Sequence, residues 1–227
     1  MLLDLHVHLG AAPGEGLAPR EALARARAAG LDGVCFAAGS PGRLAELRAA
    51  GREEGMVALL ALELAAAAGR FLCVLPDPER APPLPPPGEA PWPAARLIEG
   101  VRGLGGAVVA LHPYDRALPP ALGDAIFELD GLAAVEGLHG RSPLPANDLA
   151  VEAADHLHLP CVGGSGALAP GDEIGRAATL LRRPVGDEAG LVAQLRAGRV
   201  HAAALSRPGQ GFRSQRTSFP SRNSARR

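Results

Sequence analysis

The chain contains no lysine, so all 23 of its basic residues are arginine. That removes any metal centre built on a carboxylated lysine. Aromatic residues make up only 3% of a chain that is 47% hydrophobic, so a core must be assembled from Leu, Val and Ala. Cysteine is scarce: Cys35, Cys73 and Cys161 lie far apart in apolar segments, without a CxxC pair. This pattern excludes a disulfide framework and predicts reduced, buried thiols in a cytoplasmic protein. No apolar run reaches the ~18 residues a membrane span needs. The N-terminus shows no basic region ahead of a hydrophobic stretch, so no signal peptide is expected. Acids are absent from residues 206–227, which hold six arginines; residues 1–205 carry 17 arginines against 24 acids, a net charge of −7. An acidic body argues against a nucleic-acid partner.

What is present is an alternation of short apolar runs with helix-like segments. LLDLHVHL, DGVCFAAG, MVALLALEL, RFLCVLP, AVVALHP, GLAAVEGLHG and PCVGGSGAL read as strands. Residues 19–30, 40–55, 95–106, 147–159 and 187–200 read as helices, with Ser40 and Asn147 as N-cap candidates. Strands alternating with helices predict parallel βα units, and about seven of them favour a barrel over an open sheet. Residues 76–93 hold nine prolines and read as a semi-rigid extended segment, either a lid over the barrel mouth or a passive insertion. Residues 206–227 read as a disordered Arg/Ser-rich tail behind a single domain at 1–205.

Residues two apart on a strand point the same way, so His6 and His8 share a side of the first strand. Two imidazoles at a strand end can bind one divalent ion, or can be a hydrogen-bonded structural pair. Glu63 sits inside LLALELAAA, where a carboxylate needs a cation or hydrogen bonds, unless the strand simply ends there. His112 closes AVVALHP, with Pro113 holding it extended. All four residues fall near the C-terminal ends of expected strands, the end of a parallel barrel where sites are built.

Taken in order, DLHVHL, GLDGVCFA, LELAAAAGRFL, VVALHP, VEGLHGR and GGSGAL followed by EIGRAAT resemble the PHP-domain proteins, the polymerase-and-histidinol-phosphatase superfamily. The resemblance spans about residues 1–205. It implies a distorted (β/α)7 TIM-like barrel. It also implies up to three divalent ions that activate water for phosphoester hydrolysis.

The departures from that pattern are grouped. Pro13 stands where the family has an acid; Ala37, Ala38 and Gly39 replace TDH; Gly69-Arg70 replaces GH; Gly164 to Leu168 replace GSDAH. The resemblance then implies that one metal site, at positions 13, 39 and 168, is lost. A second keeps His6, His8 and Glu63 but lacks an aspartate at 166. A third keeps Glu63 and His112 but has Arg70 in place of a histidine. The expectation is one zinc, manganese or iron ion on His6, His8, Glu63 and His112, serving hydrolysis of a small phosphorylated molecule.

Arg70 is either a phosphate contact or an exposed loop arginine. Glu136 and His139 match a pocket-lining segment of the family, and His139 reads equally as a ligand contact or a loop residue. His156 and His158 fit a helix C-terminus, and His201 has no expected role. Gly163–Gly166 lacks a nucleotide-binding spacing. The competing reading is an inactive member of the family that binds or regulates. An amidohydrolase-like barrel also begins with HxH, but its lysine-bridged form is excluded.

Overall fold

The computed structural model describes residues 1–10, 16–86, 88–89, 91–169 and 174–205. Pro13 and the tail at 206–227 lie outside the described residues. Nine strands form one sheet: β1 (Leu2–His8), β2 (Gly33–Ala38), β3 (Val57–Ala65), β4 (Arg70–Val74), β5 (Ala107–Leu111), β6 (Ala134–His139), β7 (Cys161–Gly164), β8 (Ala177–Leu181) and β9 (Val200–Ala204). Five α-helices accompany them: α1 (Pro19–Ala28), α2 (Leu44–Glu54), α3 (Ala94–Gly103), α4 (Leu144–His156) and α5 (Glu188–Arg196). The sheet order runs β7-β6-β5-β4-β3-β2-β1-β8-β9. The chain beyond β7 curls back onto β1: Gly166 N–H donates to the His6 carbonyl at 2.7 Å, and His8 N–H to the Ala167 carbonyl at 2.8 Å. The sheet thereby nearly closes into the expected TIM-like barrel.

The barrel is less regular than parallel βα units predict. β1, β2 and β3 are parallel, as are β5, β6 and β7, but β4 runs antiparallel to both its neighbours. Only Ala66–Gly69 connects β3 to β4, and a parallel crossover needs a dozen or more residues. Gly69, at φ +84, completes the hairpin, where Ala66 N–H donates to its carbonyl at 3.1 Å. β4 therefore starts beside the ends of β3 and β5 and finishes at the opposite end of the barrel. The proline-rich segment must climb the whole height of the barrel before α3 can descend. Its far end is tied by Ala67 N–H to the Trp92 carbonyl at 2.8 Å. It starts at the end of the barrel opposite the histidines, which the lid expectation did not foresee. β8, hidden in RAATLL, was not expected, and it pairs antiparallel with both β1 and β9.

Two helix starts differ from expectation. α2 begins at Leu44 rather than after Ser40, and α4 begins at Leu144 behind Pro143, so Asn147 lies within the first turn. Proline is suited to a helix entrance because it needs no hydrogen-bond partner there.

Two apolar layers follow from strand alternation. The inner layer contains Leu3, Leu5, Cys35, Ala37, Leu59, Ala61, Leu72, Val109 and Leu111, and is plugged at one end by Leu191, Val192 and Leu195 of α5. The outer layer, between sheet and helices, contains Val7, Val34, Phe36, Leu60, Phe71, Ala110 and Val135. Each fully buried leucine contributes roughly 1.5–3 kcal/mol of hydrophobic stabilisation.

Candidate metal centre

Two β-bulges decide which side chains reach the interior. On β1, Leu3 and Leu5 face inward, but the register shifts between Asp4 and Val7. After the shift Val7 joins the outer layer, and His6 and His8 turn inward. On β6, Glu136 aligns with inward Val162, and a second shift lets His139, rather than Leu138, align with Gly164. A bulge re-aims a side chain at the cost of one unpaired residue. Uninterrupted alternation would have sent His6 outward with Asp4, and His139 outward.

The first bulge is held by Asp4, which is fully buried. Its Oδ1 accepts the N–H groups of His6 (3.1 Å) and Ser165 (2.8 Å), and its Oδ2 accepts that of Gly175 (3.0 Å). Burial pushes the Asp4 carboxyl up, while these donors pull it back.

Around the resulting pocket, His8 Nδ1 lies 3.0 Å from Glu63 Oε2, and His6 Nε2 lies 3.8 Å from the same oxygen. The other Glu63 oxygen accepts from Arg70 Nη1 at 3.0 Å. On its second side, His6 Nδ1 meets Glu136 Oε1 at 2.9 Å, while Glu136 Oε2 accepts the His112 N–H at 2.9 Å. The His6 ring stacks at 5.9 Å from that of His112 and lies 5.3 Å from that of His139; His112 and His139 are 5.0 Å apart. His112 holds φ +28, a strained value for a non-glycine residue and not the extended backbone expected ahead of Pro113; its backbone bond to Glu136 holds it there.

The electrostatics follow from this packing. Burial disfavours the charged form of His6, but Glu136 and Glu63 outweigh it and raise its pKa to about 10. Burial works against ionised Glu136, yet His6 above all brings it down to about 2. Glu63 is held well below the usual carboxylate range by His6 and His8, against the effect of burial. Burial dominates at His139, lowering it to about 4, and also lowers His112. The pocket thus sets a charged His6 between the carboxylates of Glu63 and Glu136 and keeps His112 and His139 neutral.

Donor atoms suited to a divalent ion form two groups among the described residues, each with all its atoms within 4.8 Å: His6–His8–Glu63 and His6–Glu136–His139. Among the described residues, two buried nitrogens, His6 Nε2 and His112 Nδ1, have no hydrogen-bond partner. Such atoms are costly in a protein interior, and a metal would satisfy them. Imidazole and carboxylate donors suit zinc, manganese or iron, so the residues present fit the group.

Of the residues singled out in the sequence, His6, His8, Glu63 and Arg70 come together directly. His112 stands one ring further in and belongs to neither donor group. Glu136 is more central than its sequence context suggested. A charged residue inside the apolar strand AVEGLH is the same signal that marked Glu63. Asn147 bonds the His139 backbone on both sides instead of capping α4. His156 and His201 are exposed on α4 and β9 and join neither donor group, and a surface cavity near Pro76 and Glu188 is lined by none of the pocket's residues.

Residues 145–200 match the family described as PHP-associated. A comparison with curated proteins finds no match. Among solved structures, the barrel resembles a candidate metal-dependent phosphoesterase from Bifidobacterium adolescentis, with a TM-score of 0.62 and 21% identity over 86% of this chain and 96% of that one. It also resembles an amidohydrolase from Chromobacterium violaceum, solved with bound sulfate and no metal (TM-score 0.61, 19% identity, 87% and 96% covered). A lesion-specific endonuclease from Pyrococcus furiosus aligns over 89% of this chain but 58% of its own length (TM-score 0.56, 14% identity). Identities at this level establish a shared fold, and the family match covers residues 145–200, about a quarter of the chain.

Proposed function

We propose that this protein is a metal-dependent phosphoesterase that hydrolyses a small phosphoester with one divalent ion held by His6, His8, Glu63 and His112. The observation that carries this reading is the pair of buried nitrogens without a hydrogen-bond partner among the described residues, His6 Nε2 and His112 Nδ1, beside a carboxylate already ringed by imidazoles. When bound, the ion supplies positive charge and makes hydroxide accessible at neutral pH. The residues do the rest. Glu136 orients His6 through Nδ1 and leaves Nε2 as the donor. Arg70 is 37% exposed, and its Nη1 and Nε bond Glu63 and the Pro119 carbonyl. Its Nη2 has no partner among the described residues, and it is our phosphate contact. Water attacks phosphorus and gives up one proton, the bond to the ester oxygen breaks, and that oxygen leaves as the alcohol, the proton released by the water balancing the one it takes up.

The test is metal analysis of purified protein beside His6→Ala, followed by phosphomonoester turnover with added Mn²⁺ or Zn²⁺. About one equivalent of metal, lost in the variant, supports the reading. Metal in neither protein overturns it. A binding role without hydrolysis is favoured by the Arg70–Glu63 ion pair, which neutralises the pocket without metal. Metal uptake without turnover would establish that role instead.

A further inference from the structure

His139 is the least explained polar residue of the pocket. It is 2% exposed at the end of β6, with its ring beside those of both His6 and His112. Its backbone is clamped by Asn147, whose Oδ1 accepts the His139 N–H and whose Nδ2 donates to the His139 carbonyl, both at 3.1 Å. Its Nδ1 lies 2.8 Å from Ser142 Oγ, and that hydroxyl donates its one proton to Asp115 Oδ2 at 2.6 Å. Ser142 must therefore accept from His139, so Nδ1 carries the hydrogen and Nε2 presents a lone pair. The buried Asp115 is itself anchored by the N–H of Ala117 at 2.9 Å. A carboxylate, a hydroxyl and an imidazole in series fix one tautomer and aim one bare nitrogen.

That nitrogen lies close against Gly166. Gly166 has φ +67, and a Cβ placed on it would stand 2.1 Å from His139 Nε2. A side chain at 166 and the ring of His139 would thus compete for one volume. Among the described residues Nε2 makes no hydrogen bond, while Nδ1 is engaged by Ser142.

We infer that His139 is a metal ligand through Nε2, occupying the place a side chain at position 166 would fill and held by the Ser142–Asp115 relay. This rests on the metal-dependent reading above and adds a donor to it. The site then draws on both donor groups, joined at His6, rather than on the His6–His8–Glu63 group alone.

The experiment titrates Co²⁺ into the metal-free full-length protein, its affinity read by competition with a chromophoric chelator and its ligand field from the visible spectrum. His139→Ala should weaken binding by about 100-fold or more and change the spectrum, and Ser142→Ala, which leaves the ring in place, should weaken it by about 10–100-fold. The double variant His139→Ala/Gly166→Asp empties the volume and returns a carboxylate to it. Aspartate tolerates positive φ better than most residues, so this variant should recover at least about tenfold of the lost affinity. A purely structural role for His139 predicts no such recovery. If His139→Ala does not fold, as judged by circular dichroism, His139→Gln and Ser142→Ala carry the comparison. Unchanged affinity and spectrum in the His139 variants, with binding abolished in His6→Ala, would overturn this inference and leave the metal-dependent reading standing. No Co²⁺ binding by the unaltered protein would overturn both.

Discussion

Nδ1 of His6 lies 2.9 Å from Oε1 of Glu136, and both side chains are 1% exposed. The two residues are 130 positions apart in sequence, on β1 and β6, and meet only because the barrel closes. Glu136 spends its other oxygen on the backbone of His112, so one buried carboxylate sets the positions of two imidazoles.

Glu136→Gln should therefore act through its neighbours. An amide keeps the shape but removes the charge that holds the His6 ring. The expected result is a protein that folds but binds Zn²⁺ about 10–100-fold more weakly, measured by chelator competition. Unaltered affinity would show that Glu136 does not orient His6.

Metal should stabilise the fold. With free metal near 100 times its dissociation constant, linkage adds about 2.7 kcal/mol. For a chain of this size that corresponds to a Tm increase of roughly 5–11 °C. Differential scanning fluorimetry with Zn²⁺ or Mn²⁺, then with excess chelator, should show the rise and its reversal. His6→Ala should show neither.

Gly164 permits the closest approach of two strands at the site. A Cβ there would lie 2.4 Å from the Cβ of His6 and 2.7 Å from its backbone nitrogen. Gly164→Ala should cost about 1–3 kcal/mol through overpacking. Denaturant unfolding would show the loss, and metal affinity should fall with it because His6 is displaced.

The cysteines should differ in reactivity. Cys35 and Cys73 are fully buried, and burial pushes both thiols far up. Cys161 is part-exposed, and burial followed by nearby Asp155 raises it to about 11. Only the thiolate reacts, so the native protein should alkylate slowly at one thiol, faster as pH rises towards 11. All three thiols should react in denaturant. Mass mapping identifies the site, and modification of Cys35 before unfolding would contradict the packing of the inner layer.

Much of the site could be read from the chain. His6 and His8 share a strand face by simple alternation, and Glu63 announced itself as a charge within an apolar strand. The outer and inner layers also follow the apolar runs. The direction of β4 was legible in principle, because four residues cannot make a parallel crossover, but alternation alone suggested parallel units. β8 escaped although Gly175 and Pro184 flank it, because RAATLL shows no alternation of apolar and polar residues. Asn147 resembled a helix cap because helix boundaries depend on the preceding Pro143, which begins the turn earlier.

The sequence by itself determined the donor types, their places near strand ends, and an interior that is mainly aliphatic. Tertiary structure decided which donors meet. Two bulges reverse the alternation at His6 and His139, a long-range hydrogen bond ties His6 to Glu136, and Gly166 leaves a volume that His139 fills. A bulge is a one-residue shift against a partner strand, and a cavity is a property of two segments at once. Neither exists until the strands have paired, so neither is written in local residue order.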